Sequence, residues 1–506
     1  MSSRSSPEAG REAQQDKTLP EKSLRGKLHP GRRSEMLKII TATLLALILG
    51  GCMVGPDYRR PAVDTPQSWR FEEKETQDLV NTAWWEQFND PVLNGLIGIA
   101  IRENKDVKIA AARVEEFRGR YTVARAPLFP QIGAGASAGG SRQSALQAAP
   151  LIDTQNPADL FQPAFSASWE IDLWGKLRRG TEAAHANLLS SEEGRRSVIL
   201  SLVSSVAAAY VSLRDLDRQL EIARNTTKSR EDSYKIFAIR FQGGLISDLE
   251  LYQVKSLYEQ ALATIPVIEK AIVQQEDALN VLLGRNPGTV KRGKSIEQLE
   301  LPAVPEGLPS ALLERRPDIR RAEQDLVSAN ARIGVARAMY FPDISLTGMF
   351  GWESTKLSNL FTGPASMWSL AVPVTQPIFT AGAIAGQVKM AEAVREQALL
   401  QYRQVIQNAF RDMEDALADQ RHTREQFEAQ ARQVETLRHY VKVARLRYDN
   451  GYTSYIEVLD AERSLFDAEL SYTQTQGGLR QALINIYKAM GGGWVVTAEK
   501  VSMNPG

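Results

Sequence analysis

The chain repeats itself, and the repeat restricts the folds open to it. Tyr121-Thr-Val-Ala-Arg-Ala-Pro-Leu-Phe-Pro-Gln-Ile132 returns as Ile333-Gly-Val-Ala-Arg-Ala-Met-Tyr-Phe-Pro-Asp-Ile344, displaced by 212 positions. The same displacement carries Asp106 onto Asp318 and Ala110 onto Ala322. A second pair, Arg240-Phe-Gln-Gly-Gly-Leu-Ile-Ser and Arg447-Tyr-Asp-Asn-Gly-Tyr-Thr-Ser, is displaced by 207, as are Leu283-Gly284 and Met490-Gly491. A chain of 506 residues would ordinarily make about three globular domains. The repeat predicts instead two half-molecules of one architecture, roughly 200 residues each.

Each copy runs from helix through a short β-ribbon into a long helix. From Leu177 to Arg240 there is no proline. Ile199, Leu202, Val206, Ala209, Leu213, Leu216, Leu220 and Ala223 step by three and four, a seam of period 3.5 that predicts helices wound around one another. Val434, Leu437, Val441, Ala444 and Tyr448 repeat the pattern in the second half, between Gly382 and Arg447. A helix of about 65 residues is roughly 100 Å long, which suits a tube across a wide compartment better than a globule. The low aromatic content, 7%, and the plentiful Ala, Gln, Glu and Arg agree with long helices.

Four segments alternate with period two, near 131–141, 164–174, 343–353 and 367–378. In Phe165-Ser-Ala-Ser-Trp-Glu-Ile-Asp-Leu173 the odd positions are apolar and the even ones polar. Strands of about ten residues with one apolar face fit a membrane barrel, and Trp169, Trp174, Phe350, Trp352, Trp368 and Phe379 are candidate interfacial aromatics. A half-buried soluble sheet fits the alternation as well. Four strands cannot close a barrel, and open edges are not tolerated in lipid, so a membrane reading requires oligomerisation.

The single cysteine, Cys52, excludes an intrachain disulfide framework. It ends the apolar run Ile39–Leu49 followed by Gly50-Gly51, too short to span a bilayer and of the length of a signal-peptide core. Leu49-Gly50-Gly51-Cys52 resembles a bacterial lipobox, which makes Cys52 the candidate lipid-attachment residue. The polar stretch 1–35 reads as a disordered extension or a misassigned start, with Met36 opening the signal peptide (36–51). Beyond residue 51 the chain holds 52 Lys/Arg against 55 Asp/Glu, which gives no nucleic-acid footprint. His29, His185, His422 and His439 lack metal-ligand spacing. No nucleophile–base constellation stands out, so the residues point to neither an enzyme nor a cofactor. Gly288-Thr-Val-Lys-Arg-Gly-Lys-Ser295 fits the phosphate-loop expression, but a helix and Pro287 precede it where a strand is required, so it reads as a polar connector.

Several stretches carry a family resemblance: Cys52-Met-Val-Gly-Pro-Asp-Tyr-Arg-Arg-Pro61, Trp84-Trp85 with Phe88 and Asp90-Pro91, Arg315-Arg-Pro-Asp-Ile319 with Phe341-Pro342, and Arg447-Tyr-Asp-Asn-Gly451 running to Glu457-Val-Leu-Asp460. The chain resembles the TolC/OprM-type outer membrane factors, of the lipoprotein branch associated with resistance-nodulation-division pumps. The resemblance implies a mainly α fold with a membrane β-barrel. Three chains supply twelve strands, four each, in the outer membrane, and a long helical tunnel continues into the periplasm. The implied divisions are an N-terminal linker (52–89), a first repeat (90–285) with hairpin 177–283, an equatorial connector (286–307), a second repeat (308–491) with hairpin 382–490, and a tail (492–506). The implied partners are two further copies of the chain, outer-membrane lipids, a periplasmic adaptor and an inner-membrane resistance-nodulation-division pump.

The hairpins should turn at Gly243-Gly244 and Asn450-Gly451, residues that supply left-handed backbone at helix ends. By resemblance these tips contact the adaptor. Glu457 and Asp460, three apart on one helix face, would give six carboxylates around the lumen of a trimer. The resemblance places both at the periplasmic gate, with Tyr448 and Glu250 in links that hold it closed; Thr453 stands where some relatives have arginine. The function implied is a passive export duct for small amphiphilic compounds. A duct for protein secretion, and a periplasmic coiled-coil lipoprotein without a pore, remain as alternatives.

Overall fold

The structure is a computed structural model that describes residues 53–71, 83–142, 158–304 and 309–491. Cys52, the signal segment and the C-terminal tail lie outside the described residues. After a 3-10 turn at Trp84–Phe88 the order is α1 (Pro91–Glu103), α2 (Lys105–Arg125), β1 (Gln131–Ser141), β2 (Ala158–Glu170), α3 (Lys176–Gln242) and α4 (Asp248–Leu282). The second half follows with α5 (Pro309–Arg315), α6 (Pro317–Ala338), β3 (Asp343–Trp352), β4 (Ser366–Ala371), β5 (Val374–Thr375), α7 (Ala383–Asp449) and α8 (Tyr455–Ala489). The chain is mostly helical. Its two longest helices each run 67 residues, and the helices that return from them each run 35. At 1.5 Å per residue the long helices span about 100 Å.

The repeat governs packing as well as sequence. Gly284 and Gly491 end the two hairpins with φ of 71° and 79°. Each packs so closely on the matching residue of its own repeat that a β-carbon would overlap it: at Gly284 the Glu103–Asn104 backbone, at Gly491 Arg316. Asn104 Nδ2 donates to Leu282 O at 2.9 Å, and Arg316 Nη1 donates to Ala489 O at 3.0 Å. Asn104 and Arg316 are 212 apart, and the acceptors are 207 apart. One contact is thus built twice from different side chains.

The strands form one antiparallel sheet in the order β1-β2-β3-β4, with β5 paired to β3. Its register keeps like faces together. Ala134, Phe165, Phe350 and Trp368 form one row across four strands, and the three aromatics are 54%, 51% and 77% exposed. The neighbouring row on the opposite face is Gly133, Ser166, Met349 and Ser369. Such an apolar outer row is stable only against another apolar phase.

Strand limits differ from the sequence expectation at two places. β2 begins at Ala158 and stops at Glu170, rather than spanning 164–174. Ile171 N still donates to Ile344 O, but Leu173 N turns back to Ile171 O, so the chain rounds the corner into α3, where Trp174 stacks on Phe341 at 4.7 Å and donates to Pro342 O. Trp174 therefore fastens the corner instead of standing on the sheet's outer face. The expected strand 367–378 is divided: Pro373 lies between β4 and β5, and lacks the N–H that a continuous ladder would use.

A strap from Met53 to Pro61 lies along α6 and the start of α3. Val54 N donates to Trp174 O, Asn330 Nδ2 to Pro56 O, and Tyr58 Oη to Glu323 Oε1. Arg179 reaches Asp57 at 2.6 Å, and Arg60 pairs with Glu314 and Glu323. Gly55 has φ of 104°, and a β-carbon there would stand 2.5 Å from Gly334 Cα, so two glycines make this crossing possible.

Candidate functional site

The two hairpin tips share one design. Helix α3 ends so that Gly244 takes φ of 75° and Leu245 N donates to Arg240 O; α7 ends so that Gly451 takes φ of 74° and Tyr452 N donates to Arg447 O. These left-handed caps turn the chain within a few residues. Gly243 carries the C-cap of α3, and Asn450 caps α7, where its Nδ2 donates to Leu446 O at 2.7 Å. Each turn presents apolar side chains to solvent: Leu245 and Tyr452 are both 77% exposed, followed by Leu249 and Ile456.

The next residues differ between copies. Ser247 opens α4 with a capping box: its hydroxyl accepts from Glu250 N, while Glu250 accepts from Ser247 N at 2.9 Å. Ser454 opens α8 with no side-chain cap. Its box partner, Glu457, lies 3.5 Å from Arg447 instead. Ser247→Ala should cost about 1 kcal/mol at the first turn of α4 and Ser454→Ala distinctly less. Amide exchange at residues 248–252 and 455–459 measures the two losses separately.

Between the tips lies an aromatic cluster. Tyr455 packs 4.3 Å from Phe237 and 4.8 Å from Tyr448, ring centre to centre. Burial raises the Tyr455 phenol above its ordinary pKa, with Glu462 adding to the shift. Arg240 Nη1 donates to Tyr448 Oη at 3.1 Å, joining the first hairpin to the second. In the first copy Phe241 replaces Tyr448, so the matching arginine, Arg447, finds no such hydroxyl at its own repeat position and pairs with Glu457. Asp460 pairs with Arg463. Both expected gate carboxylates are half-exposed and each stands beside an arginine. Glu250 stays on its own helix start. Sequence reading missed Arg240, Phe237 and Tyr455. The pairing of a tyrosine in one copy with a phenylalanine in the other was the available signal.

The phosphate-loop look-alike is occupied by the protein's own groups. Lys294 N donates to Asp90 Oδ2, Gly293 N donates to Tyr210 Oη, and a β-carbon on Gly293 would lie 2.2 Å from the Asp90 carboxylate. Amides already committed to a phenol oxygen and a carboxylate cannot cradle a phosphate.

Comparisons with known proteins agree with this architecture. The sequence profile of the family described as outer membrane efflux protein matches residues 96–285 and 308–492. The chain is 36% identical over 465 residues to the probable outer membrane lipoprotein SilC of Salmonella typhimurium, covering 91% of this chain and 99% of that protein. It is 34% identical to the probable efflux pump outer membrane protein TtgC of Pseudomonas putida, covering 90% and 96%. A crystal structure of CusC superposes with a TM-score of 0.79 at 33% identity, covering 87% of this chain and all of that one. By its two-part repeat, its sheet with an apolar outer row, its paired hairpins and these likenesses, the chain belongs to the outer membrane efflux protein family.

Proposed function

We propose that three copies of the chain close into a lipid-anchored duct, which receives small amphiphilic compounds from an inner-membrane pump through a periplasmic adaptor. The observation that carries this reading is unequal burial of equivalent positions. Helix α6 packs between α3 and α7 and buries twelve residues; its counterpart α2 buries only Val107 and Val114 and, of the two long helices, packs on α3 alone. Ala183 and Glu193 on α3 are 5% exposed, whereas their counterparts Met390 and Leu400 on α7 are 63% and 55% exposed. Helix α7 therefore lacks the second neighbour that α3 has. A further chain supplies it, with its α2 against α7 and its β1 against β4. Each such junction repeats one already made within the chain, α6 against α3 and β3 against β2. Three chains then give twelve strands and leave no open edge.

Cys52 immediately precedes the strap, which fits a lipid anchor on the outside of the tube. The exposed tips at Gly243-Gly244 and Asn450-Gly451 suit an adaptor that grips apolar knobs, six per trimer. Tyr448, Glu250, Glu457 and Asp460 lie at that end and constitute the entrance. The phosphate-loop look-alike is filled by Asp90 and Tyr210, so in this reading the driving energy is assigned to the pump.

Planar-bilayer recording of the purified full chain tests the reading. Discrete unitary currents are expected, and membranes that stay silent would sink it. Replacing Glu457 and Asp460 together by alanine should raise the divalent-cation concentration for half-block about tenfold, or ~1.4 kcal/mol of cation binding. Unchanged half-block removes these carboxylates from the entrance.

A further inference from the structure

The duct has a second charged zone, at the opposite end from the carboxylates. On α6, Glu323, Asn330 and Gly334 touch the N-terminal strap. Arg332, Arg321 and Asp325 each stand nine residues from one of these. Nine residues are two and a half helical turns, so these side chains leave α6 on the face opposite the strap. Helices α3 and α7 occupy its two flanks. If the strap is outside the tube, Arg321, Asp325 and Arg332 face its lumen. All three are exposed in the single chain. Their counterparts on α2 are Ile109, Arg113 and Arg120, also exposed.

These residues line two equivalent grooves. The larger, of about 880 Å³, runs along α2 and α3 and is lined by Arg113, Arg120, Arg195 and Arg321, with Phe117 and Ile109 as apolar floor. Its smaller counterpart, about 360 Å³, lies on α6 and α7 and includes Arg332. The acidic residues of the larger groove are Asp106, Glu116 and Asp325. Two of these are engaged: Glu116 pairs with Arg120, and Asp325 accepts from Ser190 Oγ at 2.6 Å. Among the described residues Arg113, Arg321 and Arg332 have no ion-pair partner. Arg120 also lies over the Phe117 ring at 5.2 Å. Threefold repetition places Arg120 and Arg332 in one ring of six guanidinium groups, with Arg113 alternating with Asp325 about two turns nearer the tips.

We propose that this arginine belt binds anionic amphiphiles, such as aromatic sulfonates or carboxylates, during their passage through the tunnel. The inference rests on the duct reading and adds a substrate class to it. Guanidinium groups take sulfonate or carboxylate oxygens in pairs, and Phe117 and Ile109 accept the apolar body. Glu116 offsets Arg120, but arginines still outnumber carboxylates along the groove, and a net positive conduit concentrates counter-ions, so the belt draws anions onward after the acidic entrance has been passed.

The test is current block of full-length channels in planar bilayers by naphthalene-1-sulfonate, with tetraphenylphosphonium as the cationic control. The sulfonate should block wild type. The double variant Arg120→Gln/Arg332→Gln should need at least about fivefold more of it, and Arg120→Lys/Arg332→Lys should retain most of the block. The glutamine variant should also favour K⁺ over Cl⁻ more than wild type does. Open channels whose sulfonate block is unaffected by the glutamines, or is matched by the cationic control, overturn the belt while leaving the duct standing. Absence of any wild-type current overturns the duct and the belt with it. If the glutamine variant forms no channels, wild type alone decides. Its block should weaken steeply between about 0.1 M and 1 M KCl, as the Debye length falls from ~10 to ~3 Å, and a salt-independent block overturns the proposal.

Discussion

Asp90→Ala is expected to destabilise the folded chain by about 3–5 kcal/mol, a loss characteristic of breaking a buried charged network. Asp90 is fully buried. Its Oδ1 accepts from Val92 N at 2.8 Å and caps α1, while its Oδ2 accepts from Tyr210 Oη at 2.7 Å and Lys294 N at 3.0 Å. One carboxylate thus joins the first helix, the middle of α3 and the connector between the repeats. Burial, together with Asp90, raises the Tyr210 phenol above its ordinary range, so Tyr210 remains a donor at any working pH. Alanine removes the cap and strands two buried donors. An asparagine in its place would behave differently. The amide oxygen can still serve Tyr210 and Lys294, but the amide nitrogen then meets Val92 N donor to donor, so Asp90→Asn should cost about 1–2 kcal/mol. Denaturant unfolding of the detergent-solubilised chain, followed by circular dichroism, separates the two variants. Equal, small losses for both would show that the connector is held by other contacts.

The repeat made the architecture legible because each half needs the same secondary structure at the same displacement. Helix lengths followed from proline-free heptads, and β1 from a Gly/Ala-rich run whose period-two alternation is weaker than that of the other strands. Strand ends were harder. Ile171 and Leu173 continue the alternation of β2, yet only Ile171 keeps a bond to β3; Leu173 N turns back on Ile171 O, and Trp174 stacks on Phe341 instead of extending the strand. Glu457 shows the same limit at the tips. Both copies carry Ser-x-x-Glu at this point, yet only Ser247 and Glu250 close a capping box, because Arg447 takes Glu457 in the second copy. The arginine belt was hidden for another reason. Arg113, Arg120, Arg321 and Arg332 are scattered in sequence, and only the strap on the far side of α6 shows which way they face.

A second large effect should have the opposite sign. Asp215→Asn is expected to stabilise the chain at pH 7.5 by about 2–3 kcal/mol, the equivalent of about two units of pKa displacement. Asp215 lies on α3 where it meets α8, and Gly477 leaves space for it: a β-carbon there would come within 3.3 Å of the aspartate. Its Oδ2 accepts from Gln219 Nε2 at 3.0 Å, while its Oδ1 is buried without a partner. The arginines nearest in sequence are committed elsewhere, Arg214 to Asp217 and the Lys294 carbonyl, Arg218 to Glu221 and Glu297. On α8, Arg480 turns to the carbonyls of Gln476 and Leu299. Burial therefore acts almost unopposed and pushes the Asp215 carboxyl up to about 6, with the Gln219 hydrogen bond pulling weakly the other way. The sign follows from linkage. Between the ordinary aspartate value of 3.8 and about 6 the folded chain holds a proton that the unfolded chain has lost, so stability falls as pH rises through that window and is flat above it. The second copy has His422 at the matching position, so the strain belongs to one hairpin and would soften that seam of the tunnel at neutral pH. Thermal unfolding of wild type and Asp215→Asn from pH 4 to 8 gives the answer. The curves should meet near pH 4 and separate by pH 7, and an asparagine variant no more stable than wild type at pH 7.5 would show that solvent or a neighbouring chain reaches Oδ1.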